Sequence, residues 1–222
     1  MKFIRLVISL FVVFGLTSMQ LQKPVKVVLF GDSITQAGVR PGGYISIMQQ
    51  SQKDFELIGA GIGGNKVYDL FLRMEDDVLK LKPDVVVIYV GVNDVWHKQT
   101  HQTGTDPDKF ITFYSAMIRK MQSAGIKVIL ATPAVIGERT DFSNPQDGDL
   151  NSYSKMIRNL ARQYNCGLVD LRKEFLAYNL LNNPENKESG ILTTDRVHLN
   201  PVGNKLVADL MMKALNKLKD NN

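Results

Sequence analysis

The chain is expected to fold as an α/β protein, a three-layer αβα sandwich around a five-stranded parallel sheet. Three observations predict this. The strand-like segments are short, continuous apolar runs rich in β-branched residues, the pattern of strands buried on both faces. Segments with helical spacing separate them, and such alternation implies a parallel sheet covered by helices on both sides. A length of 222 residues is enough for one well-cored domain and short for two.

The first strand is predicted at Val25–Phe30, where the run VKVVLF stops at Gly31-Asp32-Ser33. A helix over Gly43–Gln50 leads to a second strand at Phe55–Ile58, followed by the glycine-rich turn Gly61-Ile62-Gly63-Gly64-Asn65. Helical spacing over Val67–Leu81 precedes a third strand, Val85–Val90, which ends at Gly91-Val92-Asn93-Asp94. Residues Trp96 to Asp106 read as a polar loop, and Asp108–Ala124 as a helix before the fourth strand, Val128–Ala131. Gly137, Pro145 and Gly148 mark Val135–Asp149 as a long loop. A helix over Leu150–Tyr164, a fifth strand at Leu168–Leu171 and a loop over Asn182–Thr194 complete the alternation. The last helix is predicted over Pro201–Leu218. Proline suits its first turn, and Leu206, Leu210 and Leu215 recur near helical spacing.

Composition excludes some functions. Hydrophobic residues make up 44% and charged residues 22% of an ordinary globular mixture without low-complexity tracts. The net charge of +5 comes from scattered Lys and Arg, without the basic run and interleaved aromatics of a nucleic-acid groove, so no nucleic-acid partner is expected. Residues 1–20 are laid out as a secretory signal peptide: Lys2 and Arg5, the apolar run Leu6–Leu16, then Thr17, Ser18 and Gln20. The run falls short of the roughly 20 residues of a spanning helix, and no cysteine follows it to carry a lipid. An exported, periplasmic or extracellular protein without a stable membrane anchor is expected, with one domain over 24–220. Cys166, the single cysteine, reads as a small core residue.

The chemistry gathers where strands end, the place where open α/β sheets bind ligands. Four blocks stand there or just before the last helix: Gly31-Asp32-Ser33-Ile34-Thr35, Gly61–Asn65, Gly91–Asp94 and Asp195-Arg196-Val197-His198. Singly, each is as compatible with a helix cap or a turn. Together they supply the parts of an acyl-transfer site. In this order they resemble the blocks of the SGNH hydrolases, also called the GDSL esterase and lipase family, from Val25 to the final helix. The first block reads GDSI rather than GDSL, which changes no functional group. The second departs more, since Gly64 is the fifth residue after Gly59, where the family usually has an asparagine.

The resemblance implies the flavodoxin-like SGNH hydrolase fold, with Ser33 as nucleophile, His198 as its base and Asp195 as the acid orienting the histidine. It places the oxyanion donors at the backbone N–H groups of Ser33 and Gly64 and the side-chain amide of Asn93. The chemistry is consistent with these roles. A serine hydroxyl needs an imidazole to accept its proton during attack, and the other two histidines, His97 and His101, fall in the polar stretch. Asp195, three residues before His198, can present a carboxylate to Nδ1 while Nε2 faces the serine. Glycine at 64 lets a backbone N–H approach a substrate oxygen. Asp32 and Asp94 read as structural, holding loop backbone or capping helices.

Other motifs fit less well. His97 and His101 have the outer spacing of a metalloprotease helix, but Lys98 stands where that motif needs glutamate, so no metal is expected. The G-x-S-x-G elbow is absent around Ser33. The glycines from Gly59 to Gly64 follow the second strand and lack dinucleotide-binding spacing, so no cofactor is expected. The expected function is a secreted serine esterase acting through an acyl-serine on short-chain acyl or O-acetyl groups of a small-molecule or polysaccharide ester. Trp96 and His97 are candidate substrate contacts. A lysophospholipase or thioesterase, or a non-catalytic carbohydrate-binding protein on the same scaffold, are the alternatives.

Overall fold

The structure, a computed structural model, describes residues 23–220. The predicted signal peptide lies outside the described residues.

Five parallel strands form one sheet in the order β2-β1-β3-β4-β5, with β1 Val25–Gly31, β2 Phe55–Gly61, β3 Val85–Tyr89, β4 Lys127–Ala131 and β5 Gly167–Val169. Continuous apolar runs produce this sheet because both its faces are covered. Val27, Val28, Phe30, Val86 and Ile88 have no exposed surface although neighbours in sequence point to opposite faces. Among the described residues, eight α-helices connect and cover the strands: α1 Ser33–Gly38, α2 Tyr44–Ser51, α3 Val67–Asp77, α4 Val92–Thr100, α5 Pro107–Ser123, α6 Asp147–Gln163, α7 Leu171–Asn182 and α8 Pro201–Asp220. α2 packs against α8, while α3, α5, α6 and α4 pack in succession. That division follows from right-handed crossovers, because the chain winds from β1 to β2 in one direction and through β3, β4 and β5 in the other. The strand order reverses between β1 and β3. Their carboxyl ends, Gly31 and Tyr89, are paired in register and flank the crevice where such sheets place ligands.

Local departures from the sequence reading have local causes. The polar stretch from Trp96 is helical as far as Thr100, since the buried Val92 and Val95 anchor the first turn of α4 and leave its later polar residues at the surface. α3 stops at Asp77 and gives way to a 3₁₀ turn at Leu79–Leu81, closed by Lys82 in the left-handed region at φ 48°. The fifth strand ends at Val169 rather than Leu171, because the Asp170 side chain accepts the Lys173 N–H and starts α7. The short α1 and the whole of α7 are additions to the expected helices.

Candidate active site

Ser33 is the first residue of α1. Asp32 caps that helix by accepting the Ile34 N–H at 3.0 Å, so the Ser33 N–H lies where no carbonyl one turn back can take it. The close passage of β1 demands small residues: a Cβ at Gly31 would lie 2.4 Å from the Tyr89 carbonyl oxygen.

The Ser33 hydroxyl oxygen lies 3.0 Å from His198 Nε2. His198 Nδ1 lies 2.7 Å from Asp195 Oδ2. Asp195 also organises its own turn, with Oδ1 accepting the Val197 N–H at 3.1 Å and the His198 N–H at 2.8 Å. Burial works against its charge, but the bonds donated by His198 and Val197 outweigh it and hold the carboxyl below its ordinary pKa. Arg196 adopts φ 83° within this turn. Thr193 and Leu199 pair as an antiparallel bridge, and the Thr194 N–H donates to the His198 carbonyl at 2.8 Å. The loop is thereby pinched shut beneath the aspartate and histidine.

On the other side of the crevice, Asn93 Nδ2 donates to the Asn65 carbonyl at 3.1 Å. That bond uses one of two amide protons and leaves the second for a ligand. Gly64 adopts φ 76°, and a Cβ there would meet only His97 Cε1, at 3.9 Å. Glycine suits this left-handed backbone, a reason that stands beside the access its N–H would give a substrate oxygen. Asn65 is fixed from behind. Its Oδ1 accepts Arg73 Nε at 2.8 Å, and Arg73 Nη2 donates to carbonyls at the ends of two strands, the last of β1, Gly31, at 2.7 Å and the penultimate of β2, Ala60, at 3.1 Å.

Two carboxyls lie buried behind this rim. Burial pushes Asp32 up to about 7, with the charge of Asp94 adding to the rise and the Ile34 N–H opposing it. Burial likewise raises Asp94 to about 6, while its carboxylate receives the Val67 N–H at 3.2 and 3.3 Å. Each ties down backbone. The Trp96 ring stands edge-on to the His198 ring at 6.2 Å, and His97 lies 4.4 Å from His101, centroid to centroid. Burial, the Lys66 charge and the His101 charge lower the His97 pKa. Among the described residues, no three His, Cys, Asp or Glu side chains are grouped to hold a metal. Cys166 is half-buried against the core, and burial raises its thiol to about 11.

The structure therefore brings Ser33, Asp195 and His198 into one hydrogen-bonded chain, sets Asn93 behind the Gly64–Asn65 turn, and places Trp96 and His97 at the rim. Sequence reasoning missed Arg73, which lies one helical face away from the glycine-rich turn it holds. It also missed Glu138, in a stretch that reads only as loop.

The sequence profile of the GDSL-like Lipase/Acylhydrolase family matches residues 29–206. The chain belongs to this family. Several of the proteins it resembles are esterases. The solved acetyl xylan esterase AlAXEase shares 66% identity over 86% of this chain and 99% of its own, with a TM-score of 0.85. An acetylxylan esterase of Geobacillus stearothermophilus is 28% identical over 86% of this chain and 93% of its own length. Axe2 of the same organism has been solved as catalytic mutants with a serine, an aspartate or a histidine replaced by alanine. These superpose with TM-scores of 0.73 to 0.74 at 25 to 26% identity, over 86% of this chain and 93% of theirs. The GDSL protein described here is an ester-bond hydrolase. No helix among its described residues is long and apolar enough to cross a membrane.

Proposed function

We propose that this hydrolase removes acetyl groups from xylan-type polysaccharide or its oligosaccharides, through an acetyl-serine at Ser33. The observation that carries the reading is the chain from Ser33 through His198 to Asp195, at 3.0 and 2.7 Å. The Axe2 mutants described as catalytic remove the same three residue types, which supports assigning the roles together. The 66% identity to an acetyl xylan esterase supports the substrate class.

In the first half-reaction Ser33 Oγ attacks the acetyl carbonyl while His198 Nε2 takes its proton. Asp195 holds the imidazole by Nδ1 and stabilises the imidazolium. The oxyanion is met by the N–H groups of Ser33 and Gly64 and the free amide proton of Asn93. Collapse of the intermediate breaks the bond to the sugar oxygen, which leaves with the proton from His198. In the second half His198 deprotonates a water, which attacks the acetyl-serine and releases acetate, and the proton returns to Ser33. Trp96, whose ring stands 6.2 Å from that of His198, and His97 would offer a sugar alcohol an aromatic and a polar contact. The chain is proposed to act outside the cytoplasm, in keeping with its N-terminal pattern.

The test is hydrolysis of p-nitrophenyl esters from acetate to palmitate, with acetate release from acetylated xylan, by wild type and Ser33→Ala. Acetate preference, release from the polymer and collapse of both activities in the variant are expected. Equal rates for the two proteins would remove the serine mechanism. Rates rising with chain length would replace the substrate by a lipid.

A further inference from the structure

Glu138 lies in the loop after β4 and is 1% exposed. Its carboxylate accepts three consecutive backbone N–H groups from a distant segment. Oε2 takes that of Ile191 at 2.8 Å, and Oε1 takes those of Leu192 and Thr193 at 2.6 and 2.7 Å. The backbone at this point is tied to the same segment twice more: Glu138 N–H donates to the Glu188 carbonyl at 3.0 Å, and Gly137 N–H to the Arg196 carbonyl at 2.9 Å. Asn183 Nδ2, just past the end of α7, holds the Glu138 carbonyl at 2.9 Å.

We infer that Glu138 is the positioning residue of the acid–base loop, setting where Asp195 and His198 stand against Ser33. A buried carboxylate is costly unless its lone pairs are met, and here convergent peptide dipoles meet them. The three bonds gather residues 191–193 around one point, and the Thr193–Leu199 bridge that closes the loop follows directly. Between α7 and α8 no named helix or strand fixes this chain. Ser33 opens α1 two residues past the end of β1, so the 3.0 Å approach of His198 Nε2 depends on anchoring a loop to the sheet edge of the crevice. Glu138 makes that anchor from the loop after β4, without touching the reacting atoms.

The inference rests on the roles proposed for His198 and Asp195, and its test separates the two. In Glu138→Gln an NH₂ replaces one oxygen and leaves at least one of the three N–H groups without an acceptor. Because misplacing a catalytic group by about 1 Å can cost about 10²-fold, kcat on p-nitrophenyl acetate should fall by about that factor with KM nearly unchanged. Glu138→Asp, which keeps both oxygens, should recover part of the loss. In a His198→Ala background Glu138→Gln should cost nothing more, since the group it positions is gone. In an Asn93→Ala background the two losses should multiply. Wild-type turnover in folded Glu138→Gln, or a further loss in the His198→Ala background, would overturn the inference. Wild-type turnover in His198→Ala alone would instead overturn the proposed serine mechanism. Should Glu138→Gln fail to fold, hydrogen exchange of the wild type decides. The Ile191, Leu192 and Thr193 amides should exchange as slowly as those of β3, and exchange at free-loop rates would refute the anchor.

Discussion

The two sides of the crevice are built by different means. On the nucleophile side, Ser33 and Asn93 follow directly from strands whose ladders are paired through Gly31–Gly61 and Gly31–Tyr89. Behind them lie Asp32 and Asp94, at 1% and 0% exposure. On the acid–base side, the Asp195 and His198 side chains are 51% and 37% exposed, and one isolated bridge is the only sheet pairing in their loop. The first side inherits its geometry from the core of the fold. The second is held by side chains reaching backbone across the molecule, chiefly Glu138. Damage to the first should therefore reach stability, and damage to the second should stay in turnover.

The largest effects break the acid–base side chemically. His198→Ala should reduce kcat by about 10⁶-fold, the scale known for a base that acts as a unit with its nucleophile. Asp195→Asn should cost about 10⁴-fold, because an amide in place of the carboxylate no longer selects the imidazole tautomer. Both variants should melt within about 1 kcal/mol of wild type, as half-exposed side chains outside the core. Steady-state kinetics alongside thermal unfolding checks both statements, and a large stability loss in His198→Ala would contradict the division. On the opposite side, Asn93→Ala removes one oxyanion donor and should lower kcat by about 10²- to 10³-fold.

The same contrast explains what was legible in the sequence. The parallel sheet could be read because burial on both faces leaves uninterrupted runs such as Val85–Val90; Ser33 and Asn93 stand where such runs end, but a cap or a turn reads the same there, and their roles came from the resemblance of the four blocks. Asp195 and His198 could be read as a pair because three residues of spacing suffice for their mutual hydrogen bond. Helix α4 could not, since its outer residues are polar and its helicity depends on burying Val92 and Val95. The left-handed backbone at Gly64 was not legible, because a φ of 76° leaves no mark in the sequence beyond the glycine itself. Glu138 and Arg73 were invisible for a more general reason. All the partners of the Glu138 carboxylate, and the two strand-end partners of Arg73, are backbone groups distant in the chain, and a peptide N–H or carbonyl has no residue signature.

Arg73 sharpens the comparison at smaller magnitude. It joins the ends of β1 and β2 to Asn65, the residue whose carbonyl holds Asn93. Arg73→Met keeps the aliphatic stem but leaves the Gly31 and Ala60 carbonyls and the Asp77 carboxylate without this donor. A loss of about 1–3 kcal/mol per strongly buried unpaired group sets the scale. Turnover and melting temperature should fall together, with kcat down by about tenfold as the Asn93 amide loosens. A kcat loss at unchanged melting temperature would mean that this side, too, is organised locally rather than by the core.

The mildest variant in turnover is Asp32→Asn, and it probes the buried side through pH. Asp32 titrates at about 7 in the folded protein against 3.8 for the free side chain, chiefly because burial disfavours its charge. Between these values the folded state holds a proton that the unfolded state has released. The group therefore contributes stability that is complete below about pH 4, declines as pH rises, and is gone above about pH 7. Asparagine has no charge to bury, and its Oδ1 can still accept the Ile34 N–H that caps α1. Esterase activity should remain measurable, unlike that of Asp195→Asn. The melting temperature of Asp32→Asn should match wild type near pH 4 and exceed it by several degrees at pH 8, the gap opening between. A constant gap across that range would show that Asp32 is not the buried acid responsible, leaving Asp94, which titrates at about 6, to account for any slope.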